Sequence, residues 1–519
     1  MKLIYTNKRE CVDIFVLKVY CMIYKNNDKS KKEVFTVNNE KLARNLTMLT
    51  DFYEITMANG YFKNNFKDTV AYFDMFFRKV PDGGGFVIAA GLEQLVEYLS
   101  NLHFTNEDIE YLRGKGFGEE FLDYLKNFKF ECDVWAIPEG TPVFPGEPIV
   151  KVKGPVIQAQ FIETMVLLCI NHQSLIATKA NRVSRAADGR AVMEFGSRRA
   201  QGFDGAIYGA RAAYIGGCAG TACTISDELF GVPALGTMAH SWVQLFDSEL
   251  EAFMAYAKEY PDSCTLLVDT YNVLKSGIPN AIKTFDEVLK PMGKRPKGIR
   301  IDSGDIAYLS RKARKMLDEA GYPDCSIVAS NSLDEYIIRD MHRQGAKVDS
   351  YGVGERLITS SSSPVLGGVY KLVAVEKDGE VIPKIKLSEI VQKITTPCNK
   401  RVYRLYDKES GKAIADLMTL SKEVIDETKP YELFDPDYTW KRKEVTDFTV
   451  RELLEPVFAK GECVYKKKDI NEIKAYCKAQ VDTLWDEVTR FENPHNYYVD
   501  LSQALWDEKQ RLLNKNNMK

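Results

Sequence analysis

The sequence predicts an α/β protein, with an incomplete βα barrel of about six to seven parallel strands and a second α/β domain built from both ends of the chain. Short apolar segments recur at Ala191–Phe195, Pro233–Gly236, Thr265–Val268, Gly298–Ile301, Ser326–Ala329 and Val348–Gly352. The intervals between their centres shrink from about 40 to about 22 residues, the length of one strand plus one helix. Helix-start signals lie between them: Ser248-x-x-Glu251 and Ser332-x-x-Glu335 have capping-box spacing, and Gly345 closes the second helix. The regularity stops on both sides, before Pro155 and after Gly367, where hairpin signals take over.

Taken in order, residues 1–44 stand apart in composition. Phe15–Tyr24 is apolar but short, and the polar run Lys25–Glu33 comes after it with no small-residue cleavage site, so the segment reads as a poorly ordered extension and not a signal peptide. Val70–Phe77 is aromatic and β-branched, a buried strand, and Gly83-Gly84-Gly85 breaks the chain after it. Phe86–Leu99 reads as a helix, with Leu92, Leu95, Val96 and Leu99 at helical spacing. Prolines interleaved with valines over Ala136–Val152 suit short hairpins. A long helix starts after Pro155, its buried face marked by Phe161, Met165, Leu168, Cys169, His172, Leu175 and Ile176, and ends near Gly189. Beyond the barrel, Val369–Glu376 and Val381–Leu387 flank Asp378-Gly379 as a hairpin, and helices cover Ile470–Arg490 and Leu501–Leu513. The expected division is therefore residues 45–155 with 369–519 in one α/β domain, and 156–368 in the barrel.

Composition sets limits on function. The 519 residues carry 70 Lys+Arg against 73 Asp+Glu, with 45% hydrophobic and 28% charged residues, the balance of an ordinary globular chain. A formal charge of −3 argues against a nucleic-acid partner, which requires a positive excess. No uninterrupted apolar window of about 18 residues occurs, so no membrane-spanning helix is expected. The 11 cysteines include no C-x-x-C pair, which excludes a zinc knuckle or thioredoxin-type site and suits the reducing cytoplasm.

The chemistry is expected where the strands end. In a βα barrel the loops after the strands gather at one mouth. That brings together Glu194, Arg198 and Arg199; Thr237 and His240; Asp269, Tyr271 and Asn272; Arg300, Asp302, Ser303 and Asp305; Asn331; and Gly352, Gly354 and Glu355. Arginines, carboxylates and glycines in that number suit phosphates and a metal. No G-x-x-x-x-G-K-[ST] loop, no G-x-G-x-x-G after a strand and no H-E-x-x-H is present. Arg300–Asp305 is a strand end turning into a helix: backbone N–H groups there favour anions, Arg300 adds a fork, and Asp302 and Asp305 offer oxygens to Mg²⁺ or to a ribose. The structural alternative is a plain Asp N-cap. Phe195 offers a stacking face for a planar ring while an arginine beside it binds an acid group; the alternative is a core phenylalanine with two solvated arginines. Among His103, His172, His240, His342 and His495, only His240 lies just past a barrel-type strand, and imidazole suits nucleophilic or acid–base work. His172 reads as packed core, and His342 and His495 as solvated.

Asn45–Glu54, Glu194–Gln201, Gly236–Ser241, Val268–Asn272, Arg300–Asp305 and Gly367–Lys371, taken together and in order, resemble the nicotinate phosphoribosyltransferases. The resemblance runs from about Asn45 to the C-terminus and leaves out residues 1–44. It implies a type II phosphoribosyltransferase that joins nicotinate to phosphoribosyl pyrophosphate, giving nicotinate mononucleotide and pyrophosphate in NAD biosynthesis, with ATP hydrolysed and Mg²⁺ as cofactor. It implies a homodimer with shared sites, in which the ring is held between Phe195 and Tyr53 of the partner subunit. It makes His240 the residue phosphorylated by ATP, with Asp269 as the partner of its imidazole. Arg198, with Arg199 beside it, would face the ring's acid group; Arg300 and Asp302 the ribose and phosphates; Gly352 and Gly354 the 5′-phosphate. Thr237 and Asn331 would line the substrate site, and Mg²⁺ would lie near Asp302 and Asp305. Rival readings are a nicotinamide phosphoribosyltransferase, a quinolinate enzyme and a catalytically silent paralogue that only binds. The intact His240, Arg300 and Asp302 argue against the last, and the resembling nicotinamide enzymes carry an aspartate after a Gly-Thr pair where this chain has Ala222 after Gly220-Thr221.

Overall fold

The computed structural model describes residues 44–390 and 393–517, so the expected N-terminal extension, Phe15–Tyr24 included, lies outside the described residues. Six short strands form an all-parallel sheet: β1 (Ala191–Glu194), β2 (Gly220–Thr221), β3 (Thr265–Leu267), β4 (Gly298–Ile301), β5 (Ser326–Ser330) and β6 (Ser350–Val353). Their order is β2-β1-β6-β5-β4-β3. Consecutive positions are buried in most of them, as at Leu266–Leu267, Ile327–Ala329 and Tyr351–Val353, which is why these segments read as apolar runs and not as alternating ones. Parallel neighbours need crossovers, and the helices Gly202–Ile215, Ile306–Glu319 and Glu335–Arg343 supply them.

The edge strand differs from expectation. Pro233–Gly236 forms no strand; the ladder is completed by Gly220–Thr221, and Ala234 makes a single parallel bridge to Thr221. A two-residue Gly-Thr strand has no apolar run to announce it. Gly220 is required there, because a Cβ would lie 2.4 Å from the Pro233 carbonyl.

Both ends of the chain share a second, antiparallel sheet. Val70–Phe76 pairs on one side with Val369–Lys377 and on the other with Val150–Pro155. Asp133–Ala136, Glu455–Ala459 and Glu462–Cys463 continue one edge and Glu380–Pro383 the other. A further four-stranded sheet runs Phe448–Glu452, Lys400–Asp407, Ala413–Leu420, Val499–Leu501. The helix expected from Phe86 begins only at Leu92, because Val87–Ile88 pairs with Pro142–Val143. Gly91 turns the chain at φ 101°, where the Cys169 carbonyl would lie 2.2 Å from any Cβ.

The long helix after Pro155 is two helices, Val156–Phe161 and Glu163–Ala186, joined at Ile162. Leu168, placed on its buried face by periodicity, is 48% exposed, and Val166, Ile170 and Gln173 are buried instead. One window of this stretch reaches the mean hydropathy of a membrane span, 1.2, contrary to the expectation from uninterrupted runs, but 72% of that window is buried inside the fold. Its apolar surface serves as core. Charges are buried along with it: Lys179 Nζ contacts Asp82 at 3.0 Å and Glu335 at 2.9 Å, and Arg182 Nε donates to Glu335 at 3.0 Å. This explains why the expected Ser332–Glu335 capping box does not form. The Glu335 carboxylate is taken by the central helix, and Asp334 caps instead, accepting from the Tyr336 and Ile337 N–H groups. Ser248 caps its helix as expected, accepting from Glu251 N–H.

A second buried charge site joins the strands Lys400–Asp407 and Ala413–Leu420 to the Pro142 turn. Arg404 is fully buried, donating to Asp416 at 2.7 and 2.6 Å and to the Pro142 carbonyl at 2.8 Å. Glu147 lies beside it, its Oε1 accepting from the Phe144 N–H at 2.6 Å. Burial, and then the Asp416 carboxylate, push the Glu147 acid well above its ordinary value, which favours the neutral acid in the folded chain. A raised folded-state value contributes stability that is complete below the unfolded pKa and lost as pH rises towards the folded one. Glu147→Gln mimics the neutral acid without titrating. Its melting temperature should match the parent near pH 4 and exceed it increasingly from pH 5 to pH 9, measured by thermal unfolding. A constant gap across that range would show that Glu147 does not titrate on unfolding.

Candidate active site

At the C-terminal ends of the parallel strands, Arg300 is the hub. It is the penultimate residue of β4, and its guanidinium reaches three neighbouring segments. Nε donates to Ser330 Oγ at 2.8 Å at the end of β5, Nη1 to Thr237 Oγ1 at 3.1 Å, and Nη2 to Asp302 Oδ1 at 2.7 Å. Ser330 Oγ in turn donates to the same Asp302 oxygen. Burial pushes the Asp302 carboxyl up, but the Ser330 hydroxyl, the Arg300 guanidinium and nearby His240 outweigh it and hold the acid below its ordinary value.

His240 opens the helix His240–Leu245 and is half-buried. Its Nδ1 lies 3.1 Å from Thr270 Oγ1, and its Nε2 lies 3.8 Å from Asp302 Oδ2. Asp269 is therefore not the imidazole's partner. It sits one layer below, where its Oδ2 accepts from the Asp302 N–H at 3.0 Å and from Ser303 Oγ at 2.6 Å. Its other oxygen, Oδ1, is buried with no hydrogen-bond partner. Thr270 and Ser330 are the polar residues that motif reasoning missed; their only signal was position, one residue past Asp269 and at the last residue of a strand.

The ring-binding candidates follow β1, with β6 and β5 between it and the Arg300 strand. Phe195 comes directly after β1, half-buried, with the Arg300 guanidinium 5.9 Å from its ring centroid. Its ring explains Gly352, where a Cβ would lie 2.6 Å from Phe195 Cδ2; at Gly354 a Cβ would meet the Phe195 carbonyl at 3.1 Å. Arg198 and Arg199 occupy a short 3₁₀ turn and are exposed. Arg199 makes a loose 3.8 Å ion pair with Glu355, while Arg198 has no ion pair among the described residues. Beneath this turn Glu194 is fully buried, and burial raises its carboxyl value against the pull of the Thr221 hydroxyl and the Gly196 N–H.

Other expected residues divide between the rim and elsewhere. Asn331 stands at φ 83° and Ser332 at φ 53°, a left-handed turn after β5 that asparagine tolerates. The turn borders a 510 Å³ cleft shared with Ser303, Asp305 and Tyr336. Asp305 is the N-cap of the Ile306–Glu319 helix, accepting from Tyr308 N–H at 2.9 Å. Among the described residues no group of three or more His, Cys, Asp or Glu side chains is arranged to hold a metal. Tyr53 is exposed on the helix Phe52–Lys63 and has no contact with Phe195 within the chain; burial of its hydroxyl, with Glu163 and Glu54 near it, raises its pKa. His172 is half-buried, less enclosed than the packed core position expected of it. His342 is not solvated as expected, since its Nε2 lies 2.6 Å from the buried Tyr351 hydroxyl. His495 is exposed.

Comparison with known proteins gives the family of the chain. Family models match in order: the nicotinate phosphoribosyltransferase N-terminal domain over residues 48–171, the nicotinate phosphoribosyltransferase family over 190–412, and the nicotinate phosphoribosyltransferase C-terminal domain over 399–509. Nicotinate phosphoribosyltransferase of Bacillus subtilis is 42% identical over 467 residues, covering 89% of this chain and 94% of that protein. The chain belongs to the nicotinate phosphoribosyltransferase family. It is a phosphoribosyltransferase in class. The Dictyostelium discoideum member is 36% identical over 517 residues, covering 89% of this chain and 87% of that one. The crystal structure of human nicotinic acid phosphoribosyltransferase superposes with a TM-score of 0.79 at 29% identity, covering 89% of this chain and 99% of that one.

Ser330 is the residue through which β5 holds both members of the Arg300–Asp302 pair, and it is 2% exposed. Ser330→Ala removes two hydrogen bonds to charged groups, and each such bond is worth about 1.5–3 kcal/mol. Denaturant unfolding should show a loss at the lower end of that range, since water can enter beside the partly exposed Asp302. No measurable loss would mean that Arg300 and Asp302 hold each other without β5.

Proposed function

We propose that this rim joins nicotinate to phosphoribosyl pyrophosphate, giving nicotinate mononucleotide and pyrophosphate, and that ATP is coupled to the reaction through His240. One observation carries the reading: Arg300 touches Asp302, Asp302 faces His240 at 3.8 Å, and the same guanidinium lies 5.9 Å from the Phe195 ring. A phosphate cradle, a phosphoryl acceptor and a ring platform thus share one network. The pyridine nitrogen is already a nucleophile, so no base is required. The barrier lies in building positive charge on the ribosyl carbon while pyrophosphate leaves, and positioned arginines lower it. Mg²⁺ would supply charge neutralisation on the pyrophosphate. Asp302, the unpartnered oxygen of Asp269 and Asp305, which spends only Oδ1 on its helix cap, suit it, since Mg²⁺ is often held by one or two carboxylates plus substrate phosphates. A phosphate on His240 would add negative charge beside Asp302 and Arg300, which couples phosphorylation to the hold on pyrophosphate.

The same reading makes the enzyme a cytoplasmic homodimer in which Tyr53 of one subunit completes the other's ring site, supported by the exposure of Tyr53. It also takes the parallel sheet as an incomplete barrel opening between Ala234 and β3, over residues 156–368, with 45–155 and 369–519 forming the other domain. Assay of nicotinate and nicotinamide, each with and without ATP, tests the function directly. His240→Ala should abolish acid-labile labelling from γ-labelled ATP while leaving slow transfer, because Arg300 and its partners stay in place. Mixed Tyr53→Ala and His240→Ala subunits should recover part of the activity after exchange. Label persisting in His240→Ala would place the phosphoryl acceptor elsewhere.

The choice of ring turns on Ala222. It is exposed at the end of β2, and its N–H donates to the Glu194 carbonyl at 2.8 Å, beside the strand that leads to Phe195. It offers no acceptor to a carboxamide, whereas Arg198, without an ion pair among the described residues, suits a carboxylate. An unmet buried polar pairing costs about 1–3 kcal/mol, so nicotinate should be preferred by roughly a hundredfold in kcat/KM. Ala222→Asp should weaken nicotinate use by placing a like charge beside its carboxylate. Equal efficiency on both rings in the parent enzyme would favour the nicotinamide alternative.

A further inference from the structure

The rim has a carboxylate that this mechanism leaves unused. Glu194 ends β1, directly before Phe195, and is fully buried among residues of three different strand ends. Its Oε1 accepts from the Gly196 N–H, and its Oε2 accepts from Thr221 Oγ1 at 2.6 Å. Thr221 Oγ1 itself accepts from the Cys223 N–H at 3.0 Å, and the Glu194 carbonyl accepts from the Ala222 N–H at 2.8 Å. On the other side Phe195 N–H donates to the Val353 carbonyl at 2.8 Å. Gly196 is sealed in place, because a Cβ there would lie 2.6 Å from Ile358 Cγ2 and 2.7 Å from the Gly354 carbonyl.

A buried carboxylate is costly unless its oxygens are occupied, and a plain β-strand end needs none. Here one side chain crosses from the turn that carries Phe195, Arg198 and Arg199 to the strand end that carries Ala222. The backbone ties the turn to β6 through the Phe195 N–H, but on the other side the ladder between β1 and β2 spans only Met193–Gly220 and Glu194–Thr221, so the Glu194 side chain is what extends the hold towards β2. We infer that Glu194 is a positioning residue for ring recognition: it fixes the Phe195–Arg199 turn against Thr221–Ala222, and so sets the spacing between the ring face and the group that reads the ring's acid substituent. The inference rests on the proposed role of Phe195 as ring platform. Neither carboxylate oxygen is left for substrate, so Glu194 acts through its neighbours.

The role predicts a selective defect. In Glu194→Ala the turn loses both anchors, and the KM for nicotinate should rise about tenfold or more, the equivalent of one charge-assisted hydrogen bond, with the KM for phosphoribosyl pyrophosphate within about twofold. The nicotinate-to-nicotinamide preference should fall with it. Glu194→Gln should restore most of the affinity, because its carbonyl oxygen can still accept from Gly196 while the Thr221 hydroxyl turns to accept from the amide. Thr221→Val, which keeps the shape and removes only the cross-strand donor, should show the same selectivity at smaller size and decides the matter if Glu194→Ala does not fold. Phe195→Leu is the control. If it leaves the nicotinate KM unchanged, the ring platform lies elsewhere and the inference falls with it. If Phe195→Leu raises that KM but Glu194→Ala and Thr221→Val do not, or raise both substrates' KM alike while lowering the melting temperature, Glu194 is only structural and the inference alone is overturned.

Discussion

The rim is organised by where Arg300 directs its N–H donors. Four of the contacts that define the site, to Ser330, Thr237, Met238 and Asp302, come from one guanidinium on one short strand. The geometry is set by the side chain: a planar fork of fixed directions can satisfy acceptors on three segments only if those segments stand at set distances. Its side chain is 14% exposed, so the guanidinium is largely desolvated and the Asp302 carboxylate is required to offset that cost. Asp302 in turn is held by Ser330 and, through its backbone, by Asp269. His240 has its place against Asp302 and Thr270 as a consequence of this chain of bonds. A lysine at position 300 would keep the charge and lose the geometry.

Away from the rim the fold repeats the device of buried, engaged charges at the joints between segments distant in sequence. Arg211, on the helix after β1, donates to Glu139 twice at 2.8 Å and to Glu93 at 2.8 Å. Lys179 and Arg182 converge on Glu335, and Lys400 meets Asp74 at 2.7 Å. Each pair links the antiparallel part of the fold to the helices around the parallel sheet, or one stretch of chain to another far along it. Such pairs contribute little net stability compared with apolar residues of equal volume, but breaking one leaves an uncompensated charge costing about 3–5 kcal/mol. They penalise any misdocking of segments whose apolar surfaces would fit several ways.

Strands such as Ile327–Ala329 and Tyr351–Val353 were legible because successive positions are buried and so write an apolar run, and the rim residues were legible because parallel strands bring the loops after them to one edge of the sheet. Gly220–Thr221 escaped because a two-residue strand of small side chains has no pattern; its place is dictated by Pro233 and Leu235 closing over the glycine. The Ser332–Glu335 capping box failed because Glu335 is required by Lys179, 156 residues earlier, and spacing cannot register a partner at that distance. Family resemblance assigned Asp269 to the His240 imidazole, but the two neighbours in sequence exchange roles: Asp269 faces down to Ser303 and Thr270 faces the ring. Adjacent residues after a strand point to opposite sides, so an error of one position here exchanges a carboxylate for a hydroxyl.

That exchange bears on how the proposed phosphorylation would be controlled. A hydroxyl at 3.1 Å from Nδ1 can donate or accept, so it orients the imidazole without adding charge. The carboxylate facing His240 is Asp302, and it is shared with Arg300. The charge felt at Nε2 therefore depends on how much of Asp302 the guanidinium neutralises. An incoming phosphate that draws Arg300 toward itself would loosen its hold on Asp302 and leave more of that carboxylate's charge facing the imidazole, which would oppose a phosphate there. In the proposed reaction, anion binding at Arg300 and phosphorylation of His240 would be coupled through this one carboxylate. The 3.8 Å separation, longer than a hydrogen bond, leaves room for that coupling to tighten when the guanidinium moves.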